Sequence, residues 1–472
     1  MRIPRAAGVP WPLLAVLAVQ AALSASMVRS STAFGDEALY LSAGHLEWSH
    51  WLHGTAIPGY QTWFSGAPVI YPPIGAIADS LGGLAAARLL SLIFMLGVTS
   101  LVWLTANRLL ADERAAFFAA ALFAVLAPTL HLGSFATYDA AALLLLAAAA
   151  WCAAGVRDGR PARWMVAAGV LLALANATKY ATALYDPVVL GVAFLSSWQE
   201  LGWRPALRRA ALAAGVAAVL IGALLALGGS GYLTGIRLTT TGRVDGDNGA
   251  SLVFAQAWSW TAVVLVPAVA GAVVCALRRR WPQALLLTVL ALSALLAPAD
   301  QARINTVTSL DKHVDFGAWF AAIAAGYLLS LLSRRRVALA AALAALLPVT
   351  AVGTAQARDM IDWPEAAALV KVVRPMTAHG GHFLVETTDV LQYYLPNTTW
   401  QQWSDTSSNS PQYYLQRIRE HYYRVIVLGF NQTLSTDYAI ALQLSSASGY
   451  TLAAKVHEGG TVFDVWEYAG PV

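Results

Sequence analysis

The chain has 472 residues, of which 58% are hydrophobic and only 12% charged. Soluble proteins carry about 25% charged residues, and half that density cannot cover a globular surface of this size. A soluble multidomain enzyme, a disordered chain and a nucleic-acid binder are therefore excluded, and a polytopic membrane protein remains.

About eleven apolar stretches approach the roughly 20 residues that cross hydrocarbon. They fall near 11–28, 84–106, 115–131, 139–156, 164–178, 181–197, 210–229, 257–277, 283–298, 316–333 and 337–353. Arg2, Arg5, the first apolar run and the small residues Ser24–Ser26 imitate a cleavable signal peptide. With so many later spans, an uncleaved first helix is the better reading. The net charge is only +4, but its distribution is uneven. With the N-terminus inside, the predicted inner segments carry sixteen arginines, among them Arg2, Arg5, Arg157, Arg160, Arg278–Arg280 and Arg334–Arg336. The outer loops before residue 354 carry seven basic residues. The positive-inside rule then supports the alternation of spans, a cytoplasmic N-terminus and an outward C-terminus.

From about residue 354 the composition turns soluble-like. Trp363–Ala378 and Pro411–His421 read as helices, and 382–387, 424–430 and 463–468 as strands. The expected fold is thus a polytopic α-helical membrane protein. Its membrane domain covers 1–353 with a first outer loop at 29–83, and a small extracytoplasmic α/β domain covers 354–472.

The polar residues gather in the outer loops. The first loop opens FGDEALYLSAGH (34–45), with Asp36 and Glu37 just after the first span. They read either as a solvated pair at a helix end or as a site, if the loop folds into a cavity. LEWSHWLHG (46–54) reads as an interfacial amphipathic helix or as a sugar platform. Tyr71-Pro72-Pro73 stiffens the chain before it re-enters the bilayer. In the second loop Asp139 opens the next helix, where Asp is a good N-cap. Lys179 interrupts apolar sequence, tolerable at the interface by snorkelling. The segment 231–252 is Gly-rich and reads as a flexible loop. Asp300, Arg303, Asp311, Lys312, His313 and Asp315 crowd the loop before the tenth span. They form either a solvated face or cations that meet a phosphate at the membrane surface.

Cys152 and Cys275 fall in apolar runs without a CxxC partner, as buried small hydrophobes do. No GxxxxGK[ST], HExxH, GxSxG or Gly-rich strand-to-helix loop is present.

These features together resemble the GT-C membrane glycosyltransferases, in the branch of the bacterial protein O-mannosyltransferase and lipid A aminoarabinose transferase relatives. The resemblance spans about residues 10–350. It rests on the acidic pair after the first span, the large first loop with its YPP run, Tyr138-Asp139 at the start of the fourth span, and the cationic loop before a late span. It implies a monosaccharide donor on polyprenyl phosphate, used on the outer face of a bacterial cytoplasmic membrane with inversion at the anomeric carbon. By the family pattern Asp36 aligns as catalytic base, and Asp139 matches the second acidic position. Glu37 joins them as a supporting acid. Lys179, Arg303, Lys312 and His313 are placed on the lipid phosphate by loop position, and Tyr71 on the acceptor path. Some relatives hold a metal near the acids. No ligand set is evident here, so a divalent metal stays open and no cofactor is assigned. The acceptor, whether protein, polysaccharide or lipid, is not specified by the sequence.

The chemistry fits these residue types. An attacking hydroxyl needs a base, and a positioned carboxylate contributes about 10²–10⁴-fold. The departing lipid phosphate gathers negative charge that Lys or Arg can stabilise. A transporter or flippase is the main alternative, but it would place its charges at mid-membrane on broken helices. A scaffold whose outer domain binds a partner is the other.

Overall fold

The computed structural model describes residues 10–155, 161–446 and 449–470. Arg2, Arg5, Arg157 and Arg160, counted above as inner charges, lie outside them. The chain divides into two compact units. One comprises 10–28 and 47–361, the other 29–46 and 362–472.

The first unit is helical. Its elements are α1 (Trp11–Ala25), the later part of α2 (Gly35–His53), α3 (Tyr71–Leu110), α4 (Glu113–Ala124), α5 (Ala127–Leu132), α6 (Tyr138–Ala153) and α7 (Pro161–Thr178). They continue as α8 (Asp186–Leu201), α9 (Trp203–Thr239), α10 (Ala250–Leu277), α11 (Trp281–Leu292), α12 (Leu296–Arg303), α13 (Leu310–Leu332) and α14 (Arg336–Asp359). Among the described residues seven helical segments are long and apolar enough to cross a membrane, and α1, α6 and α7 are shorter apolar helices. The remaining apolar stretch, 115–131, is not one helix. It breaks at Leu126, which is extended ahead of α5. Pro128 lacks an N–H, and in a continuous helix its ring would strike the Ala124 carbonyl.

Two other departures follow from glycine. The helix expected from residue 84 begins at Tyr71, with Pro72 and Pro73 in its first turn, and kinks at Gly82 and Gly83, where φ of Gly83 is 65°. Residues 231–239 are not a flexible loop but the end of α9, bent at Gly229 with φ 73°. A left-handed φ costs glycine little, so the sequence can redirect each helix there. Arg88, counted with the outer charges, is buried in α3 and donates to the Val28 carbonyl at 2.9 Å.

α13 is the hub of this unit. Most of its apolar length is buried, whereas α9 and α14 expose most of theirs, as suits a lipid-facing surface. Phe316, Trp319, Phe320 and Ile323 of α13 join one continuous core with Leu122 and Phe123 of α4 and Met95 and Val98 of α3. Gly326 of α13 lies directly on the Ala115 carbonyl of α4, leaving no room for a Cβ. Small residues permit such close backbone approach where lipid supplies no hydrophobic drive between helices.

The second unit is an α/β domain. Its sheet comprises β1 (His382–Val385), β2 (Trp403–Asp405), β3 (Tyr423–Leu428), β4 (Tyr450–Glu458) and β5 (Thr461–Tyr468), in the order β2-β1-β3-β5-β4. The first three strands are parallel, and β5 pairs antiparallel with β3 and β4. In β3, Val425 and Val427 face one cluster with Leu369 and Val373 of α15 (Ala367–Thr377). Ile426 and Leu428 face another with Ile418 of α17 (Pro411–Arg419) and Ile440 of α18 (Leu434–Ser446). A strand covered on both faces reads as an unbroken apolar run, as 425–428 does. Residues 29–46, with the start of α2, belong to this unit.

Gly326→Ala should force α13 from α4 at a cost of about 1–3 kcal/mol. The thermal midpoint of the purified protein in detergent is expected to fall by several degrees. An unchanged midpoint contradicts the close approach.

Candidate active site

In the first unit the site is built around α6. Thr137 is extended and starts the helix, so it takes the cap position expected of Asp139, which lies inside the first turn. Carboxylates are favoured there by the exposed N–H groups and the helix dipole. Thr137 Oγ1 donates to Asp139 Oδ2 at 2.9 Å. Asp139 Oδ1 lies 2.5 Å from Lys179 Nζ, and the two side chains are 1% and 4% exposed. Lys179 therefore does not snorkel to an interface. It stands extended just after α7 and spends its charge on Asp139, with Nζ 4.8 Å over the Tyr138 ring. The Tyr138 phenol is hydrogen-bonded to the Ser65 hydroxyl. Tyr71, the first residue of α3, meets the Tyr138 ring edge-on at 6.5 Å.

The expected cationic loop is the first turn of α13, entered through Ser309 at φ 66°. Lys312 Nζ lies 5.6 Å over the Phe135 ring. Phe135 stacks on His131 at 4.7 Å, and His131 Nε2 lies 3.3 Å from Asp311 Oδ2. His313 Nδ1 is 2.7 Å from Gln301 Nε2, which as a donor leaves Nε2 of the imidazole carrying the proton. Asp315 Oδ1 accepts from Thr129 Oγ1 at 2.7 Å. Lys179, Lys312 and His313 all bear electrostatically on the Asp139 carboxylate, so four of the expected residues gather, with Asp139, Lys179 and Lys312 buried and His313 half-buried. Arg303 is not part of it. Its side chain is 55% exposed and pairs with Asp300 at 3.0 Å, an arrangement worth little in water.

A cavity of about 950 Å³ adjoins this group. Its wall combines Leu224, Leu225 and Leu227 of α9 with Asn176, Asp300 and His313. Asn176 is a residue the sequence did not single out. It donates to Asp186 at 2.8 Å and accepts from Thr182 at 2.7 Å, and only the fold brings these three polar groups together.

Asp36 and Glu37 belong to the second unit, in the first turn of α2. Glu37 is fully buried and accepts the Phe34 N–H at 3.0 Å, so it is no solvated acid. Asp36 is half-buried. A further acid unseen in the sequence accompanies it. Asp389 opens α16 (Asp389–Tyr394). Burial, then the charges of Asp36 and Asp405, push its carboxyl up to about 7. Among the described residues no group of three or more His, Cys, Asp or Glu is placed to hold a metal ion.

A family model described as dolichyl-phosphate-mannose-protein mannosyltransferase matches residues 75–226. No curated protein matches the chain by sequence. ArnT from Cupriavidus metallidurans bound to undecaprenyl phosphate is 14% identical with a TM-score of 0.65, covering 99% of this chain and all of that one. Its apo form gives 14% and 0.64 over 96% and 97% of the two chains. The chain has the GT-C fold. AglB, the oligosaccharyltransferase from Archaeoglobus fulgidus in complex with an inhibitory peptide and a dolichol-phosphate, is also similar. It is 14% identical with a TM-score of 0.57, over 92% of this chain and 71% of that one. The GT-C resemblance read from the sequence is thereby borne out. The family match includes Asp139 and Lys179 but stops short of Asp36, Glu37, Tyr71, Arg303, Lys312 and His313.

Two outcomes follow for a chain with this fold. Removing one partner of a buried ion pair costs about 3–5 kcal/mol, while replacing both by apolar groups is often near neutral. Lys179→Met should thus destabilise the protein in detergent more than Lys179→Met combined with Asp139→Leu. Equal or additive losses contradict the pairing. Asp389, with its carboxyl raised on folding, favours the folded state below about pH 4 and loses that contribution as pH rises towards 7. Asp389→Asn should flatten the fall in thermal midpoint between pH 4 and pH 8. An unaltered pH dependence removes Asp389 as its source.

Proposed function

We propose that the chain is an inverting glycosyltransferase that moves a monosaccharide from a polyprenyl-phosphate donor to an acceptor hydroxyl on the outer face of a bacterial cytoplasmic membrane. The observation that carries this reading is the cavity whose wall joins the leucines of α9 to His313 and Asp300, beside buried Lys312 and Lys179. A polyprenyl chain needs an apolar groove, and its phosphate needs cations held where water is scarce. The description of the matching family, and the lipid phosphates named for ArnT and AglB, agree with such a donor.

In this reading the acceptor oxygen attacks the anomeric carbon as its proton passes to Asp36. The bond from that carbon to the phosphate oxygen breaks, and the electron pair leaves on the lipid phosphate. Attack opposite the leaving group inverts the centre. Lys312 and His313 meet the phosphate charge. Lys179 acts mainly by holding Asp139, since its ammonium is engaged there, and exposed Arg303 contributes least. Glu37 supports Asp36 by fixing the first turn of α2, Asp139 orients the reacting groups with Lys179, and Tyr71 lines the acceptor path. The N-terminus is cytoplasmic and the α/β unit extracytoplasmic.

Incubation with undecaprenyl-phosphate sugars, followed by mass analysis of the acceptor fraction, tests the activity. Asp36→Asn should lower transfer by about 10²–10⁴-fold while the purified protein keeps its elution profile and thermal midpoint. Near-normal transfer in Asp36→Asn overturns its assignment as base.

A further inference from the structure

Three consecutive backbone N–H groups lead into the turn that carries Asp36, and each is held by a side chain. Thr32 N donates to Glu365 Oε2 at 3.3 Å, Ala33 N to the Tyr394 hydroxyl at 2.8 Å, and Phe34 N to Glu37 Oε2 at 3.0 Å. The other polar groups of Thr32 are engaged as well. Its carbonyl accepts from Trp363 Nε1 at 3.0 Å, and its hydroxyl accepts from the Ala366 N–H at 2.9 Å. The Phe34 ring packs on Trp363 at a centroid distance of 5.2 Å. Apart from Glu37, every one of these partners comes from residues 363–394, more than three hundred positions along the chain.

Such a grip exceeds what a helix start requires. The N–H groups of Thr32 and Ala33 lie ahead of α2 and are not among those that its first turn leaves open, and Glu37 already captures the Phe34 N–H. The remaining contacts immobilise 32–34, the residues that set where α2 begins and therefore where Asp36 points. Resting on the reading of Asp36 as base, we infer that Trp363, Glu365 and Tyr394 are positioning residues for catalysis, and that the α/β unit orients the proton acceptor rather than merely accompanying the membrane helices. Asp389, five residues before Tyr394 on α16, also responds to the charge of Asp36.

A misplacement of about 1 Å can cost up to roughly 100-fold in rate, whereas donor binding does not depend on this turn. Trp363→Phe removes one hydrogen bond and keeps an aromatic ring. Thr32→Val removes another at nearly constant shape, and Tyr394→Phe a third. In the full-length protein each should lower kcat by about tenfold and leave the KM for an undecaprenyl-phosphate sugar unchanged. Glu365→Gln, which keeps an acceptor oxygen for Thr32 N, should restore what Glu365→Ala loses. Once Asp36→Asn is present, Trp363→Phe should cost nothing more.

A second readout needs no donor. Both native cysteines are buried, so Asp36→Cys provides a distinct thiol for a charged maleimide. Its labelling rate should rise several-fold when Thr32→Val or Trp363→Phe is added. Wild-type kcat and unaltered labelling in these variants overturn the inference while leaving Asp36 as base. Near-normal transfer in Asp36→Asn overturns the underlying reading, and the inference with it.

Discussion

The buried ion pair of Asp139 and Lys179 is the constraint on which the first unit turns. Each charge taken alone out of water carries a penalty of several kcal/mol, and only a close partner with further hydrogen bonds offsets it. Here the partner is 2.5 Å away and Thr137 satisfies the other carboxylate oxygen. The pair therefore fixes the start of α6 relative to the end of α7. Tyr138, between them, extends the arrangement to Ser65 and Tyr71. From the first turn of α13, Lys312 and His313 act electrostatically on the same carboxylate, and the hub position of α13 in the core holds that turn in place.

Polar groups and apolar space thus meet in one region. His313 and Asp300 line the same cavity as the leucines of α9. In an apolar surrounding, cations act on a phosphate with little screening, which gives a small number of charges a large effect. This is why the proposed chemistry can run in a chain with so few charged residues, and why the relevant ones are buried instead of spread over a surface.

Much of the fold was legible because hydrophobic length and the soluble-like tail are one-dimensional signals. Ten of the eleven apolar stretches fall largely on unbroken helical chain, 115–131 being the one that breaks, and the strands around 382–387, 424–430 and 463–468 appear as β1, β3 and β5. β2 and β4 escaped notice. β2 has only three residues, and β4 runs at the sheet edge through Ala453, Ala454 and Lys455, without the alternation that marks a half-buried strand. The break at Pro128 and the bends at Gly83 and Gly229 were marked in the sequence but overridden by apolar run length. The site was legible only in part. Asp139 and Lys179 stand out as charges in apolar sequence, Lys312 and His313 as members of a charge-dense loop beside a span, and the four do gather. Asp389 gives no such signal, because it lies in polar sequence and acquires its environment only when residues 29–46 join the tail. Arg303 carried the same sequence signal as Lys312 and proved to be an exposed partner of Asp300. Charge density in a loop does not reveal which members turn inward.

The claim that most needs a direct measurement is that the cavity and its cations receive a lipid phosphate. Titrating undecaprenyl phosphate into the purified protein in detergent, and comparing the wild type with Lys312→Met, tests it without knowledge of the sugar or the acceptor. Loss of one charge-assisted contact, worth about 1.5–3 kcal/mol, predicts saturable binding that weakens by roughly 10-fold to 100-fold in the variant, titrated well below its thermal midpoint. Equal affinity in the two proteins, or no saturable binding in either, would contradict the account.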